Sequence, residues 1–489
     1  MVSFLLCVVA LIAGYLFYGK FVDRIIAPDP SRRTPALEVN DGMDYVPMPA
    51  WKVYMIQFLN IAGTGPIFGA IMGAKFGPSA YLWIVFGCIF AGAVHDYLSG
   101  MVSIRNRGAS LPEIIGYYRG PVVKNIMLVF TVFLLILVGG VFVYSPAIIL
   151  GDLIDGGTNT TVMICCGVIF VYYIVATLLP VDKIIGKIYP LFAFALIFMA
   201  VAMLIGILVK WPSIPELWQG LGNRGPSLGV QGQSIFPCLF ITIACGAVSG
   251  FHATQSPMMA RCMKNETLGR PIFYGAMITE GIVALVWAAV ASYFFFDGGA
   301  EAVGSDISAA APTVVAKVSE AWLGVLGSIL ALLGVVAAPI TSGDTALRSA
   351  RLIVADLVHS DQTKRRNRLM ISIPLFVVVA FVLYLNIAGD DGFNTIWRYF
   401  GWANQTLSIF TFWALSVFLA SYKKGMYYLI TEIPAMFMTT VCIGYICNAN
   451  IGFGLPVGLS AIIGGSVAIL FAVLFYIYII RKESYRKRI

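Results

Sequence analysis

The sequence predicts an all-α protein that crosses a membrane many times, and three observations predict it. Apolar residues make up 59% of the chain and charged residues 11%, which excludes an ordinary soluble domain. Apolar windows of about 20 residues, the length a helix needs to cross hydrocarbon, recur about thirteen times. Lysine and arginine collect in every second connection, which together hold 27 of the 32 basic residues. A missed or added span would destroy that alternation.

In order, the expected spans lie near 2–19, 51–75, 79–103, 122–150, 161–179, 189–209, 234–260, 271–296, 321–345, 370–388, 395–420, 426–447 and 456–480. The first run, through Gly19, lacks the basic start and small-residue cleavage site of a leader and reads as a span. With the basic segments inside, the N-terminus is expected outside and the C-terminus in the cytoplasm. The net charge of +8 is then topology. The run Lys364, Arg365, Arg366 and Arg368 and the tail "RKESYRKRI" read as inside anchors, with no nucleic-acid partner. Trp83, Trp211, Trp218 and Trp397 lie near span ends and read as an interfacial belt. The nine cysteines show no CxxC or Cys/His spacing, so buried thiols and no zinc-type site are expected.

The second span carries "NIAGTGPIFGAIMG", in which Gly63, Thr64, Gly65 and Pro66 interrupt an apolar run at mid-membrane. Proline suits the first turn of a helix, so Pro66 is expected to start a second half-helix after a break. The alternative is close helix packing through Gly65, Gly69 and Gly73. Unpaired backbone in lipid costs several kcal/mol per group, so a break persists only where it lines a cavity or is covered by protein. In the third span Asp96 shares a face with Gly92, Ser99 and Gly100, as a proton site or an inner-gate anchor, and His95, pointing about 100° away, is expected not to pair with it directly. "SLPE", Ser110 to Glu113, reads as a capping box opening a short helix over 111–118.

The seventh span is interrupted at Gly246, Ser249 and Gly250, with Ser256 and Pro257 expected as N-cap and first position of its second half. Ser249 either meets a ligand or bonds back within its own helix. His252 follows the break and either binds substrate, relays a proton or is a satisfied buried histidine. Glu280 in the eighth span has no obvious local partner. Gly63 and Gly246 are five spans apart, so the two breaks enter from opposite sides, as an inverted repeat requires. The expected organisation is an N-terminal helix and loop over 1–50, repeats over 51–232 and 233–420, and two added helices with the basic tail over 421–489.

The strings "DGMDYVP" (41–47), "IAGTGPIFG" (61–69), "AGAVHDY" (91–97), "RNRGASLPE" (105–113), "ITIACGAVSGFHA" (241–253) and "TSGDTALRSARL" (341–352) closely resemble the carbon starvation protein A (CstA) family over most of the chain. The resemblance implies a bacterial inner-membrane transporter related to the amino acid/polyamine/organocation group, with a five-plus-five, LeuT-like core. It implies uptake of peptides, amino acids or small carboxylates such as pyruvate under carbon limitation, with a proton or sodium ion as the only cofactor. Longer members of the family carry additional C-terminal membrane segments.

Substrate contacts are then expected at Gly63, Thr64, Gly65, Pro66, Gly246, Ser249, Gly250 and His252, the helix start after Gly65 favouring a carboxylate. Ala338, Thr341 and Ser342 are spaced like the sodium site on the eighth repeat helix of the five-plus-five fold, with carbonyls near Asn60 and Gly63 completing an oxygen shell. Asp344 adds a charge there or pairs with Arg348 one turn on, while Asp344, Asp96 and His252 would suit protons. The scattered histidines argue against a membrane enzyme. A channel or a nutrient sensor without coupled transport is the alternative.

Overall fold

Among the described residues of the computed structural model, 1–178, 181–224, 233–296, 311–362, 364–388, 392–423 and 425–486, every regular element is helical. Ten helices are long and apolar enough to span a bilayer, or eleven with one bent pair counted as a span. They are α1 (Val2–Ile26), the bent pair α2 (Ala50–Ala62) and α3 (Gly65–Phe76), α4 (Ser79–Arg105), α5 (Pro121–Asp155), α6 (Asn159–Thr177) and α7 (Tyr189–Lys210). After the second break comes α8 (His252–Ala260). It is followed by α9 (Glu266–Phe296), α10 (Ala311–Leu357), α11 (Arg365–Leu385), α12 (Thr395–Tyr422), α13 (Leu429–Asn448) and α14 (Val457–Ile479). Two of the thirteen expected segments fall outside that count. Residues 234–260 are too interrupted to form one rod, and 321–345 lie within α10, itself broken at Gly324 (φ 66°).

The connections sort onto two faces, as the basic alternation requires. On the face away from the basic loops, Ser3 N donates to Glu216 Oε2 (2.8 Å), Arg224 N to Lys75 O (2.7 Å) and Ser79 Oγ to Leu221 O (2.7 Å). On the basic face, Met48 N donates to Cys262 O (3.0 Å) and Arg105 Nη2 pairs with Glu266 Oε1 (2.9 Å). All nine cysteines are buried free thiols.

Several local expectations are corrected by tertiary contacts. Trp83 and Trp397 are buried in protein and form no belt, whereas Trp211 and Trp218 are exposed. The short helix over Leu111–Arg119 forms, but Ser110 makes no side-chain capping bond, so the capping box does not close. Ser256 and Pro257 lie inside α8, which starts four residues before Ser256. Of the basic tail, residues 487–489 lie outside the described residues.

Candidate functional site

The first break is real. α2 ends at Gly63, whose φ of 27° and ψ of −139° only glycine adopts without strain, and the chain restarts at Gly65 with a 47° bend. Pro66 sits in the first turn of α3, where its missing N–H costs nothing. The second break covers Ile243 to Phe251.

The two breaks meet. A methyl group on Gly65 would lie 2.3 Å from Cys245 Sγ, and one on Gly246 would lie 2.3 Å from Ala284 Cβ and 3.7 Å from Pro66 Cα. Gly69 and Gly73 abut Thr242 and Ile243 in the same way. The packing stripe and the broken helix, posed by the sequence as alternatives, therefore coexist: the small face of α3 lies directly on the interruption of the other span.

Backbone groups freed at the second break are satisfied by side chains rather than by lipid. Trp83 Nε1 donates to Ile243 O (2.8 Å), Gln405 Nε2 to Phe240 O (2.9 Å), and Phe251 N donates to Asn404 Oδ1 (2.7 Å). Asn404 Oδ1 also accepts from Ser249 Oγ (3.0 Å), so Ser249 bonds across to α12 as well as lying 3.6 Å from Cys245 Sγ within its own segment. Gly250 makes this possible, since a methyl there would stand 2.2 Å from Asn404 O. Replacing Asn404 with alanine leaves the buried Phe251 N–H unpaired and the Ser249 hydroxyl with only its weak contact to Cys245 Sγ, the orphaned N–H alone costing about 1–3 kcal/mol. The Asn404→Ala protein is expected to lose uptake about tenfold and to melt at a lower temperature, whereas uptake and melting at wild-type levels would remove Asn404 from the site.

Thr64 is fully buried and its hydroxyl has no hydrogen-bond partner; a methyl on the neighbouring Gly63 would lie 3.0 Å from Phe142, whose ring packs on Phe251 and Phe400. Phe68 packs on Trp397, which packs on Phe400. The unspent buried hydroxyl of Thr64, next to Gly63 and this aromatic cluster, offers one polar contact for a small solute.

Beyond the second break, α8 delivers His252 to a buried chain of titratable groups. Asp96 accepts from both imidazoles, His95 Nδ1 to Oδ1 at 2.8 Å and His252 Nδ1 to Oδ2 at 2.9 Å. The expectation that His95 cannot reach Asp96 is thus wrong: adjacent Cβ vectors diverge, but the ring nitrogen folds back onto the short carboxylate. His252 Nε2 faces Glu280 Oε2 at 3.5 Å, which gives Glu280 the partner the sequence hides. His95 Nε2, His252 Nε2 and both Glu280 oxygens make no hydrogen bond. Cys245 Sγ completes the group, its ligand atom and those of His252 and Glu280 lying within 4.8 Å of one another. That is close enough to share one small cation or to pass a proton, a convergence that sequence spacing conceals.

The other expected coupling residues fall apart from this chain. Ser342 Oγ donates to Leu59 O (3.0 Å) and Thr345 Oγ1 to Asn60 Oδ1 (3.4 Å), so α10 does face the first break. Thr341 Oγ1 is turned to the carbonyls of Ala337 and Ala338, both at 2.9 Å. Asp344 points elsewhere, its Oδ2 accepting from Tyr189 of α7 at 2.6 Å. Arg348 does not pair with it and turns to Asp44 at 3.6 Å and Ala176 O at 2.7 Å. Asn404, Tyr189 and Asp44 are not singled out by the sequence, and Trp83 reads there only as an interfacial anchor. Asn404 and Gln405, polar in an apolar run, carried a usable signal.

Comparison with known proteins agrees with this architecture. The chain overlays a crystal structure of a mutant of the Eremococcus coleocola manganese transporter with a TM-score of 0.57 over 91% of this chain and 99% of that one, at 14% identity, which shows a shared LeuT-like fold. An uncharacterized membrane protein of Haemophilus influenzae is 49% identical over 339 residues, 60% of this chain and 91% of its own. The peptide transporter CstA of Bacillus subtilis is 26% identical over 97% of this chain and 94% of its own length. The pyruvate/proton symporter BtsT of Escherichia coli is 32% identical over 60% of this chain and 49% of its own. The family profile described as Carbon starvation protein CstA matches residues 1–170, 147–324 and 313–444. A multi-span protein with two broken helices meeting at its centre, matched along nearly its whole length, belongs to the carbon starvation protein CstA family and is a membrane transporter.

Proposed function

We propose that the chain is a secondary carrier that takes up peptides or small carboxylates, pyruvate and amino acids among them, driven by protons entering with the solute. The observation that carries this reading is the meeting of Gly65 and Cys245, which brings two interrupted helices into direct contact inside the protein. The relatives named peptide transporter and pyruvate/proton symporter supply the solute classes. In this reading 51–232 and 233–420 are the two halves, the N-terminus faces out, the basic face is cytoplasmic, and the carrier serves the bacterial inner membrane under carbon limitation.

The choice of proton over sodium rests on how the two candidate sites are filled. Around Ala338, Thr341 and Ser342 the hydroxyls already donate to carbonyls, whereas the His95–Asp96–His252–Glu280 chain ends in unpaired buried atoms. The test is uptake of labelled pyruvate, alanine and a dipeptide into proteoliposomes, with proton and sodium gradients imposed separately. One pH unit is worth about 1.4 kcal/mol per proton, so one coupled proton should give roughly tenfold accumulation. Accumulation driven by sodium alone would reverse the choice. Facilitated equilibration with no accumulation under either gradient would favour a channel. Asp344→Asn, which keeps a partner for Tyr189, is expected to change ion dependence more than solute affinity, and unchanged coupling would make Asp344 structural.

A further inference from the structure

The segment before α2 straps the basic face, and its anchor leaves hydrogen bonds unmade. Asp41 Oδ1 accepts from the backbone N–H groups of Met43, Asp44 and Tyr45 at 2.8, 3.0 and 2.9 Å, which curls the strap. Tyr45 then lies 5.0 Å under the Arg261 guanidinium and bonds Arg107 O at 3.2 Å, and Met48 N bonds Cys262 O. This fold directs Asp44 between Arg348 and Arg351, but only to 3.6 and 3.7 Å, beyond hydrogen-bonding range. Asp44 Oδ1, Arg348 Nε and Nη1, and Arg351 Nε and Nη2 are buried without hydrogen-bond partners.

The buried guanidinium groups of Arg261, Arg348, Arg351 and Arg368 share this region with the carboxyls of Asp44, Asp344 and Asp356, and with Glu113 and Lys124 nearby. Arginine stays charged, and its fork of N–H groups, short of hydrogen bonds on Arg348 and Arg351, matches a carboxylate. A small cavity of about 20 Å³, room for about one water, lies against Arg261 and is lined also by Ala253, Thr254, Ser349, Ile353 and Leu407.

We propose that Arg261, Arg348 and Arg351 form a second, release-side subsite for a carboxylate, which Asp44 fills from the chain itself until the carboxylate of a departing solute takes its place. The exchange frees the strap and opens the basic face. It rests on the reading that the cargo carries a carboxylate. Asp44 is thus a stand-in for the solute: its loose fit keeps the exchange reversible, since a fully bonded internal partner would exclude the cargo.

The strap covers Cys262, which is fully buried, so the rate of maleimide labelling at Cys262 reports strap release. It is read by peptide mass spectrometry on the full-length purified protein, with Cys262→Ser as the blank. Saturating pyruvate is expected to speed labelling of the wild type about fivefold, and Asp44→Asn to speed it about tenfold without pyruvate. Pyruvamide, which has the shape without the charge, and sodium chloride should do neither. Arg348→Gln combined with Arg351→Gln should erase the pyruvate effect. Labelling of the wild type that ignores pyruvate, or answers equally to pyruvamide or chloride, overturns the subsite without any variant having to fold. Uptake measured in parallel separates the two readings: pyruvate-dependent labelling in a protein that transports no carboxylate supports the subsite and sinks the cargo assignment. Uptake with no labelling response sinks the subsite alone.

Discussion

Gly65→Val is expected to reduce uptake about 100-fold or more while the protein still reaches the membrane. A single added methyl at residue 65 would stand 2.3 Å from Cys245 Sγ and 2.4 Å from Cys245 Cβ, distances that nonbonded atoms do not tolerate. Relief requires α3 and the second break to separate. Overpacking of this kind costs about 1–3 kcal/mol where a core can shift, a modest fraction of what holds a protein with this many packed helices. The fold therefore survives, and the close meeting of the breaks does not. The measurement is initial-rate uptake in proteoliposomes alongside membrane abundance and melting temperature. Normal uptake by Gly65→Val would mean that the meeting of the breaks is mere packing, and the carrier reading would fall with it. Gly458→Val makes a suitable control, because nothing lies within 4 Å of the position its Cβ would occupy.

The same contact explains which parts of the site were legible in the sequence. The first break is written locally, in a glycine that must take positive φ and a proline that starts a helix, so Gly63 to Pro66 could be placed from the string alone. The interruption of the second span was legible for the same reason, but its restart was not. Ser256 and Pro257 carry the chemistry of a helix start, yet α8 begins at His252 because Asn404, 153 residues away, takes the N–H of Phe251. A cap supplied across such a distance leaves no local signature. Trp83 on Ile243 O and Tyr189 on Asp344 are hidden in the same way. The misreading of His95 has another origin. A helical wheel places directions, and a ring with two rotatable bonds can reach a neighbour that the wheel puts on another face.

Asp96→Asn carries the second large effect: solute exchange across the membrane persists while accumulation driven by a proton gradient disappears. An ionised Asp96 only accepts, so it fixes both His95 and His252 as Nδ1–H tautomers and leaves both Nε2 lone pairs free. His252 Nε2 then offers a proton acceptor 3.5 Å from Glu280, in a place closed to water. Asparagine keeps the shape but presents one donor and one acceptor, so one imidazole must switch tautomer and the charge that would hold an incoming proton on either ring is gone. The meeting of the breaks keeps its direct contacts, because Asp96 makes no hydrogen bond to Gly65, Ser249 or Asn404. Counterflow of labelled solute against unlabelled solute should therefore stay within about twofold of wild type, and the roughly tenfold accumulation per pH unit should collapse to none. Equal loss of both would make Asp96 a structural clamp between α4 and α8. Full retention of both would move the coupling proton elsewhere, to Asp344 and Tyr189 first.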